Sequence, residues 1–281
     1  MIYEIKSGDL VVRISDLGAE IQSVIYKGKE RVWQNDNGKW AGHSPVLFPV
    51  CGNSAVVIGE KDRKIPFHGF ARASVFSVKN VRCDSVTFVL SFSEDTLKVY
   101  PFKFRLSIKY SVCGNTIFVE NVVENQGKGA MPFAIGRHDS FLLDGKLGGY
   151  KLCFEREEEF LSQKTDDKAN LINLYIDFGE GKELLLPEDF LSDGRTFIFG
   201  KVSSRSVTIK TLDNRPIAAL FYPDVDNILV WRPDDADMIC IEPWSALPDE
   251  SGEKTDFLQN EKYFSLGTGE KKNVNFQIEY Y

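Results

Sequence analysis

The sequence predicts an all-β protein, a large antiparallel β-sandwich. Three observations carry this reading. Apolar and polar residues alternate along many short segments, the period of a half-buried strand rather than of a helix. Turn residues separate those segments at short intervals, as in sandwiches. Phe fills 21 of the 281 positions and aromatic residues 12% of the chain, enough large side chains for a wide sheet-on-sheet core.

Taken in order, residues 10–14 and 19–26 read as opening strands, with Gly18 and Lys27-Gly28-Lys29 as turns. Residues 86–92 and 104–110 switch faces at every position, which marks strands with one buried side. Cys113-Gly114-Asn115-Thr116 reads as a turn that folds 117–125 back as a hairpin. Further strands are expected at 197–199, 207–210, 217–222, 227–231 and 274–280, and a short turn within 185–191. Helical periodicity is weak throughout. No polar linker, compositional break or long repeat interrupts the chain, so residues 1–281 are expected to form one domain.

Bulk properties exclude several functions. The net charge is −7, with Lys and Arg scattered among acidic residues, so a nucleic-acid partner is not expected. No apolar run approaches the length of a membrane span, and residues 1–9 do not read as a signal peptide. The five cysteines (Cys51, Cys83, Cys113, Cys153 and Cys240) are odd in number and form no CxxC pair. That argues against a disulfide scaffold or structural zinc, and points to a reducing cytoplasm. The acidic run Glu155-Arg156-Glu157-Glu158-Glu159 reads as a solvated face or turn.

Few residues remain for chemistry. The segment Met238-Ile239-Cys240-Ile241-Glu242-Pro243-Trp244 sets a carboxylate inside an apolar, strand-forming run. Such surroundings raise the free energy of the ionised form and push the pKa toward values useful for a base. Pro243 is expected to end or kink the strand there. Trp244 adds a flat apolar face, and a carboxylate beside an indole suits a sugar. Three histidines are present: His43 in a loop, His68 within Pro66-Phe67-His68-Gly69-Phe70-Ala71-Arg72, and His138 beside Arg137, Asp139 and Ser140. No zinc spacing, glycine-rich phosphate cradle or nucleophile elbow is found.

Together these pieces resemble the aldose 1-epimerase (galactose mutarotase-like) family, in particular its bacterial branch similar to LacX. The matching segments are Ser44–Gly52, Pro66–Arg72, Tyr100–Phe104, Met131–Gly136 leading to His138, and Ile241–Asp249, in that order. The resemblance implies a β-supersandwich with a small-molecule sugar in an open cleft on a concave sheet, and no metal or organic cofactor. It implies Glu242 as general base at the anomeric hydroxyl, His138 as general acid at the ring oxygen, and His68 as the histidine steadying charge there. Arg72 and Trp244 would line the pocket. Two positions depart from the pattern and would alter recognition: Asn53 stands where an Arg commonly reaches sugar hydroxyls, and Arg137 where a glycine is usual. Asp139, in place of a proline, is expected to raise the pKa of His138 as a neighbouring anion. The leading function is anomer interconversion on a free aldose. The alternatives are a non-catalytic carbohydrate-binding protein on the same fold and a hexose-phosphate mutarotase. The resemblance does not name the sugar or the oligomeric state.

Overall fold

In the computed structural model, which describes residues 1–35, 38–58, 61–192, 195–234, 236–252 and 255–281, the protein is an all-β sandwich. Among the described residues one sheet holds 15 strands. Its path runs through Val46–Leu47, Gly136–Arg137, Met238–Trp244, Asn227–Trp231, Phe197–Phe199 and Tyr150–Thr165. It continues through Ser206–Thr211, Pro216–Phe221, Lys271–Tyr280, Thr116–Asn125, Phe104–Cys113, Ser85–Ser91 and Ser77–Lys79. A twisted sheet of this width must curl or fold into packed layers. Contacts between distant strands show this: Tyr280 packs against Phe141, and Tyr110 accepts a hydrogen bond from Arg137. A four-stranded sheet (Ile2–Ser7, Leu10–Ser15, Ile21–Tyr26, Lys29–Glu30) packs its buried side into the same apolar core.

The alternating segments fold as read. Phe104–Cys113 and Thr116–Asn125 pair in register from Phe104↔Asn125 to Cys113↔Thr116. Gly114 sits at φ 61°, the left-handed conformation that a two-residue hairpin turn requires at its first central position. The turn expected in 185–191 is present at 188–191.

Three local details refine or add to these expectations. The strand Met238–Trp244 runs through Pro243, which pairs with Ile228, and ends one residue later. The acidic run lies within the strand Tyr150–Thr165, which forms a long hairpin with Leu171–Leu185. Four of its residues face solvent, but Glu158 is buried and accepts hydrogen bonds from the backbone N–H groups of Ser203 and Ser204. A short helix, Glu94–Val99, also forms; a capping box between Ser93 and Thr96 starts it. No helix among the described residues is long and apolar enough to cross a membrane.

Candidate active site

Glu242 is carried by Met238–Trp244, a strand paired with Asn227–Trp231 on one side and with Asp139–Leu142 on the other. Its cross-strand partner is Leu229. Side chains alternate along a strand, so Glu242 and Trp244 share a sheet face with Asn227, Leu229 and Trp231. Leu229, Trp231, Glu242 and Trp244 line one cavity of about 330 Å³, within the range of small-ligand sites.

His138 enters the same cavity from the break between the strands Gly136–Arg137 and Asp139–Leu142. Its Nε2 lies 3.3 Å from Glu242 Oε1, and the two side chains are 9% and 3% exposed. The indole of Trp40 stacks on the imidazole at 4.9 Å and 27°. Trp231 meets His138 edge-on at 5.5 Å, and His68 does so at 5.7 Å and 90°.

His68 arrives from a loop held by close backbone packing. It sits at φ 63° and the following Gly69 at φ 76°. A Cβ on Gly69 would stand 2.0 Å from the Phe48 carbonyl oxygen, so only glycine fits. The loop is tied to Gly52 twice: His68 N–H donates to the Gly52 carbonyl, and Gly52 N–H donates to His68 Nδ1. An accepting Nδ1 in a neutral imidazole leaves the proton on Nε2 as a donor. His68 is buried and packs edge-on against Trp244. Trp244 is pinned by its own indole N–H, which donates to the Arg137 carbonyl. Arg72, on the short 3₁₀ turn Ala71–Ala73, completes the rim.

The electrostatics of the pair follow from burial. Glu242 is held well above the ordinary carboxylate range, first because burial penalises its charge and then because Asp139 is a nearby anion. Burial, reinforced by the Arg72 charge, lowers His138 to about 3. His68 is also pushed well down, by burial and then by His138 and Arg72. Burial thus pushes both members of the pair toward their uncharged forms.

The structure thus brings Glu242, His138, His68, Arg72 and Trp244 into one cavity. It does not bring Arg137 there. That guanidinium points through the sheet into the core, is 1% exposed, and donates to Asp139, Ser44 and Tyr110. Arg137 and Asp139 lie on the face opposite His138 because they flank it in an alternating backbone. For the same reason Asp139 acts on Glu242 rather than raising His138; its carboxylate is held by Arg137 and Ser44. Asn53 lies beside the cavity, where its amide joins Gly52 to the 166–170 turn by donating to Asn170 Oδ1 and the Lys168 carbonyl. Sequence reading missed Trp40, Phe67 and Trp231 as walls. Only Trp231 carried a signal, being two residues beyond Leu229 on the expected strand.

The chain and its fold are similar to those of known proteins. The model of the aldose 1-epimerase family fits residues 1–260. The chromosomal protein LacX of Lactococcus lactis subsp. lactis is 30% identical over 293 aligned positions, covering 96% of this chain and 97% of LacX. A galactose mutarotase-like protein from Lactobacillus casei superposes with a TM-score of 0.92 at 28% identity, covering 100% of both chains. A galactose mutarotase related enzyme from Lactobacillus acidophilus gives 0.90 at 28% identity, covering 100% of this chain and 97% of its own. With a family match across most of its length and a relative aligned nearly end to end, the chain belongs to the aldose 1-epimerase family.

Proposed function

We propose that this protein is a mutarotase that interconverts the α and β anomers of a free aldose. The observation that carries the reading is the Glu242–His138 pair, 3.3 Å apart inside a sugar-sized cavity with indole walls. Ring opening removes a proton from O1, breaks the C1–O5 bond and delivers a proton to O5. Glu242 takes the first proton and His138 supplies the second. Rotation about C1–C2 turns the aldehyde, and O5 closes on its other face with the two groups in exchanged states. The reactive state has Glu242 ionised and the proton on His138, and ring closure returns to each group the state that ring opening changed. The Nε2–H of His68 hydrogen-bonds the sugar near the ring oxygen and steadies charge there. Trp244 offers an apolar platform and Arg72 donates to hydroxyls.

A matched acid and base in contact favour catalysis over binding alone, because a lectin site needs acceptors and donors but no shared proton. Among the described residues lining the cavity, Arg72 is the arginine or lysine present, with Arg137 turned into the core, which favours an uncharged sugar over a sugar phosphate. The test is proton NMR exchange between anomers of glucose, galactose and their 6-phosphates with and without the protein. Faster exchange with a free aldose supports the proposal; saturable binding without faster exchange overturns it.

A further inference from the structure

An imidazole that moves protons is commonly held in plane by a hydrogen bond to its other nitrogen. His138 lacks that tie. Its Nδ1 is buried and has no hydrogen-bond partner among the described residues, while Nε2 faces Glu242. Ring packing is left to set the plane of the imidazole. Trp231 and His68 meet it edge-on, and Trp40 alone among the rings described against it lies face to face, at 4.9 Å and 27°. Turning His138 about its Cβ–Cγ bond would drive a ring edge into the Trp40 face and take the Nε2 hydrogen direction out of line.

Trp40 is in turn fixed to the strand that follows His138. The Ser140 hydroxyl accepts from Trp33 N–H and donates to the His43 carbonyl, so it ties the chain on both sides of Trp40. The Trp33 indole N–H donates to the Trp40 carbonyl. The Trp40 ring folds over Gly42, where a Cβ would stand 2.5 Å from Cζ2. Trp33 packs with Ala236, Met238 and Cys240 in a small cluster apart from the main core, and Trp40 and Trp231 rest on it. A cation is also attracted to the face of an indole, and His138 carries the proton in the reactive state. Resting on the mutarotase reading above, we propose that Trp40 is a positioning residue, whose indole face holds the protonated imidazole of His138 with Nε2 aimed into the cavity.

The test separates kcat from KM in NMR anomer exchange of glucose and galactose, for the wild type, Trp40→Leu, Trp40→Phe and Ser140→Ala. Trp40→Leu should lower kcat about three- to tenfold, the scale of one aromatic stack, with KM within about twofold. Trp40→Phe keeps an aromatic face and should keep most of the wild-type kcat. Ser140 does not line the cavity, yet Ser140→Ala should lower kcat in the same direction. Combined with Trp40→Leu it should add little, because both changes act through one contact. The chain has three histidines, so the ring protons of His138 are readily followed by NMR. They should lie upfield beneath the indole in the wild type and move downfield in Trp40→Leu. A wild-type kcat in Trp40→Leu, a loss confined to KM, or unmoved His138 signals overturns the positioning role alone. If Trp40→Leu fails to fold, an unchanged kcat in Ser140→Ala overturns it. Exchange of no sugar by the wild type overturns the mutarotase reading, and this one with it.

Discussion

Nε2 of His138 stands 3.3 Å from Oε1 of Glu242, in a setting that pushes both groups toward their uncharged forms. The two groups proposed as acid and base are thus already in contact. Replacing Glu242 by Gln keeps its size but removes the carboxylate proposed to take the proton. Anomer exchange should fall by about a hundred- to ten-thousandfold, the usual worth of a positioned acid or base. Thermal unfolding should stay close to wild type, because a buried carboxyl group is not replaced by a cavity. Near-normal exchange in this variant would remove Glu242 from the mechanism.

The pH profile carries a second expectation. His138 takes up a proton near pH 3 rather than at its ordinary 6.5. Between pH 7 and pH 5, kcat/KM should therefore show no step centred on 6.5, measured by NMR exchange in non-binding buffers. A fall centred near 6.5 would mean that an ordinary histidine controls the rate.

Stability should respond in the opposite sense on the acid side. His138 and His68 have folded pKa values depressed below 6.5, so the unfolded chain binds protons that the native one refuses. Their contribution is fully present above 6.5 and declines as pH falls through the window below it, which for His138 extends to about 3. The Tm should drop on acidification across that window, and His68→Gln should make the drop shallower. An unchanged slope in that variant would contradict the assigned burial effect.

Gly69 offers a backbone test. A Cβ at φ 76°, placed 2.0 Å from the Phe48 carbonyl oxygen, forces the loop to move. Gly69→Ala should cost at least about 2 kcal/mol in denaturant unfolding, from left-handed strain and the clash together. It should also raise KM for the sugar by displacing His68. A stable variant with normal KM would show that the loop position is immaterial.

Arg137 lies in the core, and its loss strands a buried anion. Arg137→Leu leaves Asp139 without its bidentate partner, which should cost about 3–5 kcal/mol by urea unfolding. In whatever fraction folds, the KM for an uncharged sugar should be little changed, since the guanidinium does not line the cavity. A large KM change in a stable variant would return Arg137 to recognition.

Much of the fold was legible because alternation is a local signal: Phe104–Cys113 and Thr116–Asn125 declare both their buried side and their turn. The hairpin Tyr150–Thr165 with Leu171–Leu185 was not, since charged residues fill its exposed face and bulges break the period of two. Glu242 was legible from its apolar neighbours and, with His138 and His68, from ordered family motifs. The direction of Arg137 was not. It depends on which side of a two-residue strand the chain presents, and that is set by pairing with Val46 and by Asp139 and Tyr110 waiting in the core. Trp40 was likewise hidden, because its stacking on His138 joins segments about a hundred residues apart.

Asp139 influences the acidity of Glu242 from the side of the sheet opposite the cavity. Proton affinity and ligand choice are therefore governed from opposite faces of one wall. An engineer could retune the working pH by exchanging Arg137 and Asp139 together for apolar residues of similar volume, a swap that buried ion pairs often tolerate. Every group in contact with the carbohydrate would stay untouched.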